Sequence, residues 1–168
     1  MERVMARDWG LDFDFNALTV RETTDAVVLH HTGSAGDDDF SAAALHRSHQ
    51  AQGWLGLGYH YSIRKDGAIE MGRPRWAVGA HTEGENFHTV GVHLCGNFSI
   101  AAPTVAQVES LALLLANLAA DYDLPLDEAH ICGHCDFMAT ACPGETLHRA
   151  IPLIIGKAIW YREHGPEE

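Results

Sequence analysis

Histidine and cysteine are the residue types in this sequence best suited to chemistry, because both bind metals and cysteine also supports redox reactions. The chain has 12 histidines and 4 cysteines, and three of the cysteines fall within residues 132–142, beside His130 and His134. An even cysteine count is typical of disulfides in exported domains, whereas cysteine grouped with histidine favours a metal or redox site. The grouping here favours a site over a disulfide framework.

Three of these side chains form a set that suits zinc. His30 and His134 each follow or end an apolar run typical of a strand, and Cys142 lies in the segment TACPG at 140–144. Two imidazoles and one thiolate are three zinc ligands, which leave the fourth tetrahedral position for water. Zinc lowers the pKa of that water from ~15.7 to about 7, as a hydrolase requires. The alternative is that these histidines and this cysteine are buried structural side chains.

A second cysteine pattern, from Cys132 to Cys135, has the CxxC spacing of thiol-disulfide oxidoreductases. In those enzymes the motif normally follows the first strand and opens a helix, with most of the domain downstream. Here it lies near the C-terminus and has no tryptophan before its first cysteine. Thiol redox chemistry through Cys132 and Cys135 is therefore kept only as an alternative. Cys95, in an apolar run, is predicted to be a buried small hydrophobe.

The strands that must position these side chains are visible as short apolar or alternating runs. Residues 26–32 are apolar and β-branched and end in polar residues, which predicts a buried strand that delivers histidines at its C-terminal end. Further strands are predicted at 59–64, 68–70, 90–94 and 129–132.

Three helices are predicted between and after these strands. The first spans 40–52, with Ser41 as a candidate cap, and the third spans 146–161. The second spans 104–122, where Thr104 and the glutamine three residues later form a candidate capping box. Strands interleaved with helices predict an α/β fold with a single sheet flanked by helices.

Length and charge limit the classes of function. At 168 residues and 46% hydrophobic content, the chain is the size of one domain with one substantial core, so we predict a single domain over 1–168. The formal charge is −12, from 23 acidic and 11 basic residues. Nucleic-acid affinity depends on basic side chains that release counterions, so no nucleic acid is expected as a partner.

The first twenty residues interrupt their apolar positions with arginine and aspartate, so they lack the apolar region of a secretory signal. No apolar run is long enough to cross a membrane. We therefore expect synthesis in the cytoplasm without a Sec signal peptide, and no membrane insertion.

Seven short motifs occur in order along the chain: TDAVVLHHT at 24–32, QGW at 52–54, GYHY at 58–61, KDG at 65–67, VGAH at 78–81, VGV at 90–92, and GH at 133–134 with TACPG at 140–144. Together they resemble the phage-lysozyme type of N-acetylmuramoyl-L-alanine amidase, the family that includes the animal peptidoglycan recognition proteins. The resemblance covers about residues 23–149, with 1–22 as an N-terminal extension and 150–168 as a C-terminal helix and tail. It implies that family's fold, a mixed sheet flanked by helices, and hydrolysis of the amide bond between N-acetylmuramic acid and L-alanine.

The resemblance also implies roles for individual residues. His30, His134 and Cys142 match the family's ligands for one zinc ion per chain. Tyr59 matches the catalytic tyrosine, whose hydroxyl can hydrogen-bond the metal-bound water or the oxyanion; the alternative is an aromatic side chain in the core. Thr140 falls where family members carry lysine or threonine, and its hydroxyl can donate to the tetrahedral intermediate.

Three further residues match positions on the substrate side of the family's groove: His81, Asn86 and His31. Each has a plainer alternative. His81 can be a solvent-facing loop histidine, Asn86 a turn-forming asparagine, and His31 a packed or hydrogen-bonded neighbour of the first metal ligand.

The sequence departs from the family pattern at Cys135, where many relatives have arginine. The change removes whatever contact that arginine makes and leaves the three zinc ligands intact. Asp136, the next residue, can orient His134 or the neighbouring backbone, or can be a plain turn aspartate.

The expected binding partner is peptidoglycan or a soluble muropeptide. A phage endolysin or an antibacterial effector fits this expectation, acting on the cell wall after release or non-Sec export. The alternative on the same fold is a non-catalytic peptidoglycan sensor, but family members that only bind have usually lost the cysteine that Cys142 matches. We expect a monomer, and the sequence identifies no regulatory or immunity protein.

Overall fold

Five short strands form one mixed sheet in the computed structural model, which describes residues 1–164; residues 165–168, the end of the predicted C-terminal tail, lie outside the described residues. The strands are β1 (Ala26–His31), β2 (Tyr61–Ile63), β3 (Ile69–Met71), β4 (Thr89–Leu94) and β5 (Ile131–Gly133). Their order across the sheet is β3-β2-β4-β1-β5. The β2–β3 pair is antiparallel, and the other three pairings are parallel. The predicted α/β class with a mixed sheet is confirmed.

The helices are α1 (Ala42–Ala51), α2 (Val105–Tyr122) and α3 (Glu145–His164). The predicted caps are present: the Ser41 hydroxyl accepts a hydrogen bond from Ala44 N, and Thr104 forms a capping box with Gln107. These side chains satisfy backbone N–H groups that the first helical turn leaves unpaired. Among the described helices, none is long and apolar enough to cross a membrane.

One predicted strand begins later in the structure than expected. Residues 129–132 were expected to be extended, but β5 begins at Ile131. The Asp127 carboxylate accepts hydrogen bonds from the backbone N–H groups of Ala129 and His130, at 3.0 and 3.1 Å. Those groups are therefore occupied in a turn, and the strand begins after it.

The sheet separates an apolar face from a polar one. Side chains alternate along a strand, so Val27 and Leu29 of β1 enter the main core while His30 points the other way. The main core consists of fully buried residues from the central strands and from α2 and α3; these include Val90, Val92, Leu111, Leu115, Leu147 and Ile154. Packing of α2 and α3 against one face leaves the other face available for the site.

The N-terminal segment before β1 is packed against the rest of the molecule. Arg7 exchanges two 2.8 Å backbone hydrogen bonds with Ile69 and Met71 of β3. The Trp9 indole N–H donates to the buried carboxylate of Glu70 at 2.6 Å. Because these contacts extend the β3 edge of the sheet, the N-terminal segment stabilises the β2–β3 hairpin.

A buried histidine joins the start of β2 to β4. Gly91 N–H donates to His60 Nδ1 at 3.0 Å, so the ring proton lies on Nε2, which is 2.8 Å from the Ala77 carbonyl oxygen. Burial lowers the pKa of His60 to about 3, and it also lowers that of His93 to about 3. Both imidazoles are therefore neutral in the fold near neutral pH.

This burial predicts acid sensitivity. The folded pKa lies below the unfolded value of about 6.5, so the unfolded chain binds protons first and stability falls as pH drops below 6.5 towards 3. Each such histidine costs about 2 kcal/mol between pH 6.5 and 5. We expect thermal unfolding of the metal-depleted chain, with chelator present, to show a lower midpoint at pH 5 than at pH 7.

The matched control is His60→Asn, whose amide oxygen can still accept the Gly91 hydrogen bond but does not titrate. Its loss of stability over the same pH interval should be smaller. An equal loss in both chains would show that His60 is not the source.

Candidate active site

Parallel pairing brings two predicted ligands to the same end of the sheet. Leu29 of β1 lies opposite Gly133 of β5, and His30 and His134 are the next residues along each strand. Cys142 comes from the segment between β5 and α3. One ring nitrogen from each histidine and the Cys142 sulfur all lie within 4.8 Å of one another. The structure therefore brings the three candidate ligands together.

The distances suit a tetrahedral metal ion. Cys142 Sγ is 3.6 Å from His30 Nδ1. In a tetrahedral zinc site, Zn–N distances of about 2.05 Å and Zn–S distances of about 2.3 Å place those two ligand atoms about 3.6 Å apart. The donor set thus fits zinc by geometry as well as by type, and it forms a possible metal site.

The protonation of the first ligand is controlled by its surroundings. Burial lowers the pKa of His30 well below its usual value, and the nearby His81 and His134 lower it further. Burial also raises the pKa of the Cys142 thiol to about 12, although His31 N–H donates to that sulfur at 3.4 Å. A neutral imidazole is ready to bind a metal, whereas the buried thiolate requires a compensating cation.

His81 lies behind His30 rather than in solvent. Its Nδ1 is 2.9 Å from His30 Nε2, and its side chain is only 8% exposed. The Thr89 hydroxyl donates to the Glu85 carbonyl oxygen and so accepts from His81 Nε2 at 3.3 Å, which leaves His81 Nδ1 to accept a hydrogen bond from His30 Nε2. That arrangement directs the lone pair of His30 Nδ1 towards Cys142. His81 thus borders the cavity, and its ring orients the first ligand.

A glycine makes this close packing possible. A Cβ atom at Gly91 of β4 would lie 2.6 Å from the ring of His81, which is closer than any real contact. The VGV motif of β4 therefore has a structural reason for its central residue.

Asn86 and His31 both border the cavity, and both have hydrogen bonds within the protein. Asn86 Oδ1 accepts from the backbone N–H groups of His81 and Thr82, at 2.8 and 2.9 Å, and so shapes the loop that carries His81. His31 Nδ1 accepts from Phe98 N at 3.0 Å. These contacts match the plainer alternatives, in which Asn86 forms a turn and His31 is a hydrogen-bonded neighbour of the first ligand. Contact of either residue with substrate stays a prediction.

Tyr59 and Thr140 line the same cavity, which has a volume of about 650 Å³. The Tyr59 ring centre is 5.0 Å from that of His30, and burial followed by the nearby Cys142 raises the pKa of its hydroxyl, which stays protonated. Within residues 1–164 that hydroxyl forms no hydrogen bond, so it is able to donate to a bound molecule. Thr140 Oγ1 accepts from Cys142 N at 3.2 Å and holds the cysteine loop.

Sequence reasoning missed His93, which supports Tyr59. It lies opposite His30 in the parallel register of β1 and β4, and its ring stacks on Tyr59 with centres 4.8 Å apart. Both of its nitrogens are fixed at 2.8 Å by hydroxyls, those of Ser62 and Thr32. The alternation of side chains along β4 places His93 on the polar face, and this pattern could have identified it from the sequence. Trp54, the last residue of the QGW motif, and Glu83 also line the cavity; Glu83 had no sequence signal.

The CxxC pattern does not have the environment of a redox pair. All four cysteines are free, Cys132 is buried, and its sulfur contacts the carbonyl oxygens of Glu128 and Ala129. Burial, together with Asp136 and Asp127, raises the pKa of Cys132 to about 11. Reactive thiols of oxidoreductases have lowered pKa values instead. Cys95 is also buried, immediately after β4 rather than within it.

Asp136 orients backbone rather than the metal ligand. Its Oδ2 accepts from Gly133 N at 2.8 Å, and its Oδ1 is 2.9 Å from His148 Nε2. The expectation that it could orient His134 was wrong, because His134 Nε2 lies 2.8 Å from Met138 Sδ instead. The other expectation, that Asp136 orients neighbouring backbone, agrees with its hydrogen bond to Gly133 N.

Comparison with known proteins agrees with this geometry. The family model described as N-acetylmuramoyl-L-alanine amidase matches residues 20–145. The endolysin of Escherichia phage T7 is 35% identical over 134 residues, which are 77% of this chain and 86% of that protein. The human N-acetylmuramoyl-L-alanine amidase is 34% identical over 129 residues, covering 72% of this chain and 22% of that longer protein.

A solved structure has the same architecture. The N-acetylmuramoyl-L-alanine amidase LysC from Clostridium intestinale URNW superposes with a TM-score of 0.82 at 29% identity, over 92% of this chain and 99% of that one. The similarity therefore extends over nearly the whole chain.

Proposed function

Because this chain belongs to the N-acetylmuramoyl-L-alanine amidase family, we propose that His30, His134 and Cys142 hold one zinc ion for its reaction. The chain is a peptidoglycan amidase, which hydrolyses the amide bond between N-acetylmuramic acid and L-alanine. The observation that carries the zinc proposal is the approach of two imidazoles and one thiol within 4.8 Å at the edge of a 650 Å³ cavity.

Hydrolysis is favoured over the sensor alternative by the same donor set. A protein that only binds peptidoglycan has no need of a half-buried cysteine beside one buried and one half-buried histidine. Cys142 retains its thiol here, and His81 orients His30 towards it. Both contacts position ligands for a metal ion, and peptidoglycan binding without catalysis would require neither of them.

The chemistry can be assigned to particular atoms. A zinc ion bound by these ligands would supply Lewis acidity, polarising the amide carbonyl and making water available as hydroxide near neutral pH. Hydroxide adds to the carbonyl carbon, the C–N bond breaks, and the second proton of water goes to the leaving nitrogen of L-alanine. The Tyr59 hydroxyl donates a hydrogen bond to the oxygen that becomes negative and keeps its proton, with the Thr140 hydroxyl as a second hydrogen-bond donor.

The proposed setting follows from the substrate. The cavity is open, and the exposed side chain of Trp54 on its rim can pack against a sugar ring or a stem peptide. We propose that peptidoglycan or a muropeptide binds here, that the protein acts on the cell wall as an endolysin or an antibacterial effector, and that it works as a monomeric single domain.

The ligand assignment predicts that metal and activity are lost together. Cys142→Ser and His134→Ala should each reduce zinc from about one per chain to near zero and abolish amidase activity. Cys132→Ser and Cys135→Ser should keep both. Metal is measured in protein never exposed to chelator. Activity is measured on sacculi and on soluble muropeptides, with and without chelator, by the mass of the released stem peptides.

Cys132→Ser is the matched control, because its buried thiol lies outside the cavity. Protein without any transition metal would contradict the three-ligand proposal. Full activity in Cys142→Ser or His134→Ala would contradict the assignment of that residue.

Tyr59→Phe separates binding from chemistry. The variant keeps the ring that stacks on His93 but removes the hydroxyl donor. We expect the fold and zinc content to survive, KM to stay nearly unchanged, and kcat to fall about a hundredfold or more, because the lost hydrogen bond acts in the transition state. Steady-state kinetics on a soluble muropeptide measures this. Near-normal turnover would return Tyr59 to a packing role.

A further inference from the structure

A second group of metal-binding side chains lies outside the cavity. Cys135, Asp136 and His148 offer a sulfur, a carboxylate oxygen and an imidazole nitrogen within 4.8 Å of one another. Two come from the turn after β5 and one from α3. We propose that these three residues form a second transition-metal site, separate from the site at His30.

The ligands are held in place by contacts that do not involve a metal. Asp136 is fixed by Gly133 N at 2.8 Å and lies 2.9 Å from His148 Nε2. Cys135 N donates to the Cys142 carbonyl oxygen at 2.9 Å, which fixes the backbone that carries the thiol. A Cβ at Gly133 would lie 2.7 Å from the His148 ring, so glycine there allows His148 to approach.

The site is accessible and lies beside the first one. Cys135 and His148 line a surface cavity of about 240 Å³, whereas His30 and His134 belong to the larger cavity; Thr140 and Ala141 line both. Cys135 and His148 are half-buried and Asp136 is exposed. A metal can therefore reach these donors from solvent while substrate fills the other cavity.

The donor types select the metal. Thiolate and imidazole favour zinc, cobalt or copper, and the absence of an all-oxygen set disfavours magnesium and calcium. Binding transfers one proton from the Cys135 thiol to solvent, while His148 binds as the neutral imidazole and Asp136 as the carboxylate. In a tetrahedral zinc site the oxygen and nitrogen ligands lie about 3.4 Å apart, so the present 2.9 Å contact must open by about half an ångström.

The second site should be weaker than the first and should brace the loop between them. The exposed carboxylate and the need to remove a thiol proton both oppose binding. Once formed, the site links the turn after β5 to α3, and that turn also carries His134. We therefore expect it to fill only when metal is added, and to raise the thermal unfolding midpoint.

Cobalt(II) provides the test, because a cobalt–thiolate bond produces a near-ultraviolet absorption that histidine sites on the surface do not. In the untagged Cys142→Ser chain, added cobalt should still produce this band with one equivalent. Cys142→Ser/Cys135→Ser should lose it, and Cys142→Ser/Cys132→Ser should keep it. No band in Cys142→Ser, or a band that follows Cys132, would overturn the proposal.

A second measurement avoids the Cys142 variants, in case they fold poorly. The natural chain should take up two zinc ions at saturation, and Cys135→Ser or His148→Ala should take up one while keeping amidase activity. The rise in the unfolding midpoint with added zinc should also be lost in Cys135→Ser. Saturation of the natural chain at one zinc would overturn the second site, and it would leave the first site untouched.

Discussion

The rest of the site depends on the burial of His30 in its neutral form. His30 lies on β1, which has a neighbouring strand on each side, and it is only 1% exposed, so the charged imidazolium is strongly disfavoured there. His81 fixes one ring nitrogen and leaves the other 3.6 Å from Cys142. The half-buried Cys142 thiol has a raised pKa, so its thiolate needs a nearby cation, and a dication can bind the thiolate and the neutral imidazole at once.

Much of the fold could be predicted because local signals and the final structure agree. The apolar run of β1, the capping box of α2 and the Ser41 cap of α1 each act within a few residues, so the sequence contains them directly. The three ligands could be predicted from their residue types and from the family resemblance. The parallel pairing of β1 with β5 then explains why His30 and His134 lie close together.

The details that were missed depend on contacts distant in the chain. The start of β5 is set by the Asp127 turn, the burial of His81 by its packing on Gly91, and the position of His93 by the register of two parallel strands. A sequence without an alignment contains no direct signal for such register. Asp136 was assigned to two partners, and only the structure distinguishes them, because the choice depends on where α3 places His148.

X-ray absorption at the zinc edge tests most directly whether His30, His134 and Cys142 bind the metal. Chain loaded with less than one equivalent of zinc should give one sulfur neighbour at about 2.3 Å and nitrogen neighbours at about 2.0–2.1 Å. The sulfur shell should persist in Cys135→Ser, where only the first site remains, and should vanish in Cys142→Ser/Cys135→Ser. A zinc environment without sulfur in the natural chain, or a sulfur shell that survives in Cys142→Ser/Cys135→Ser, would contradict the account.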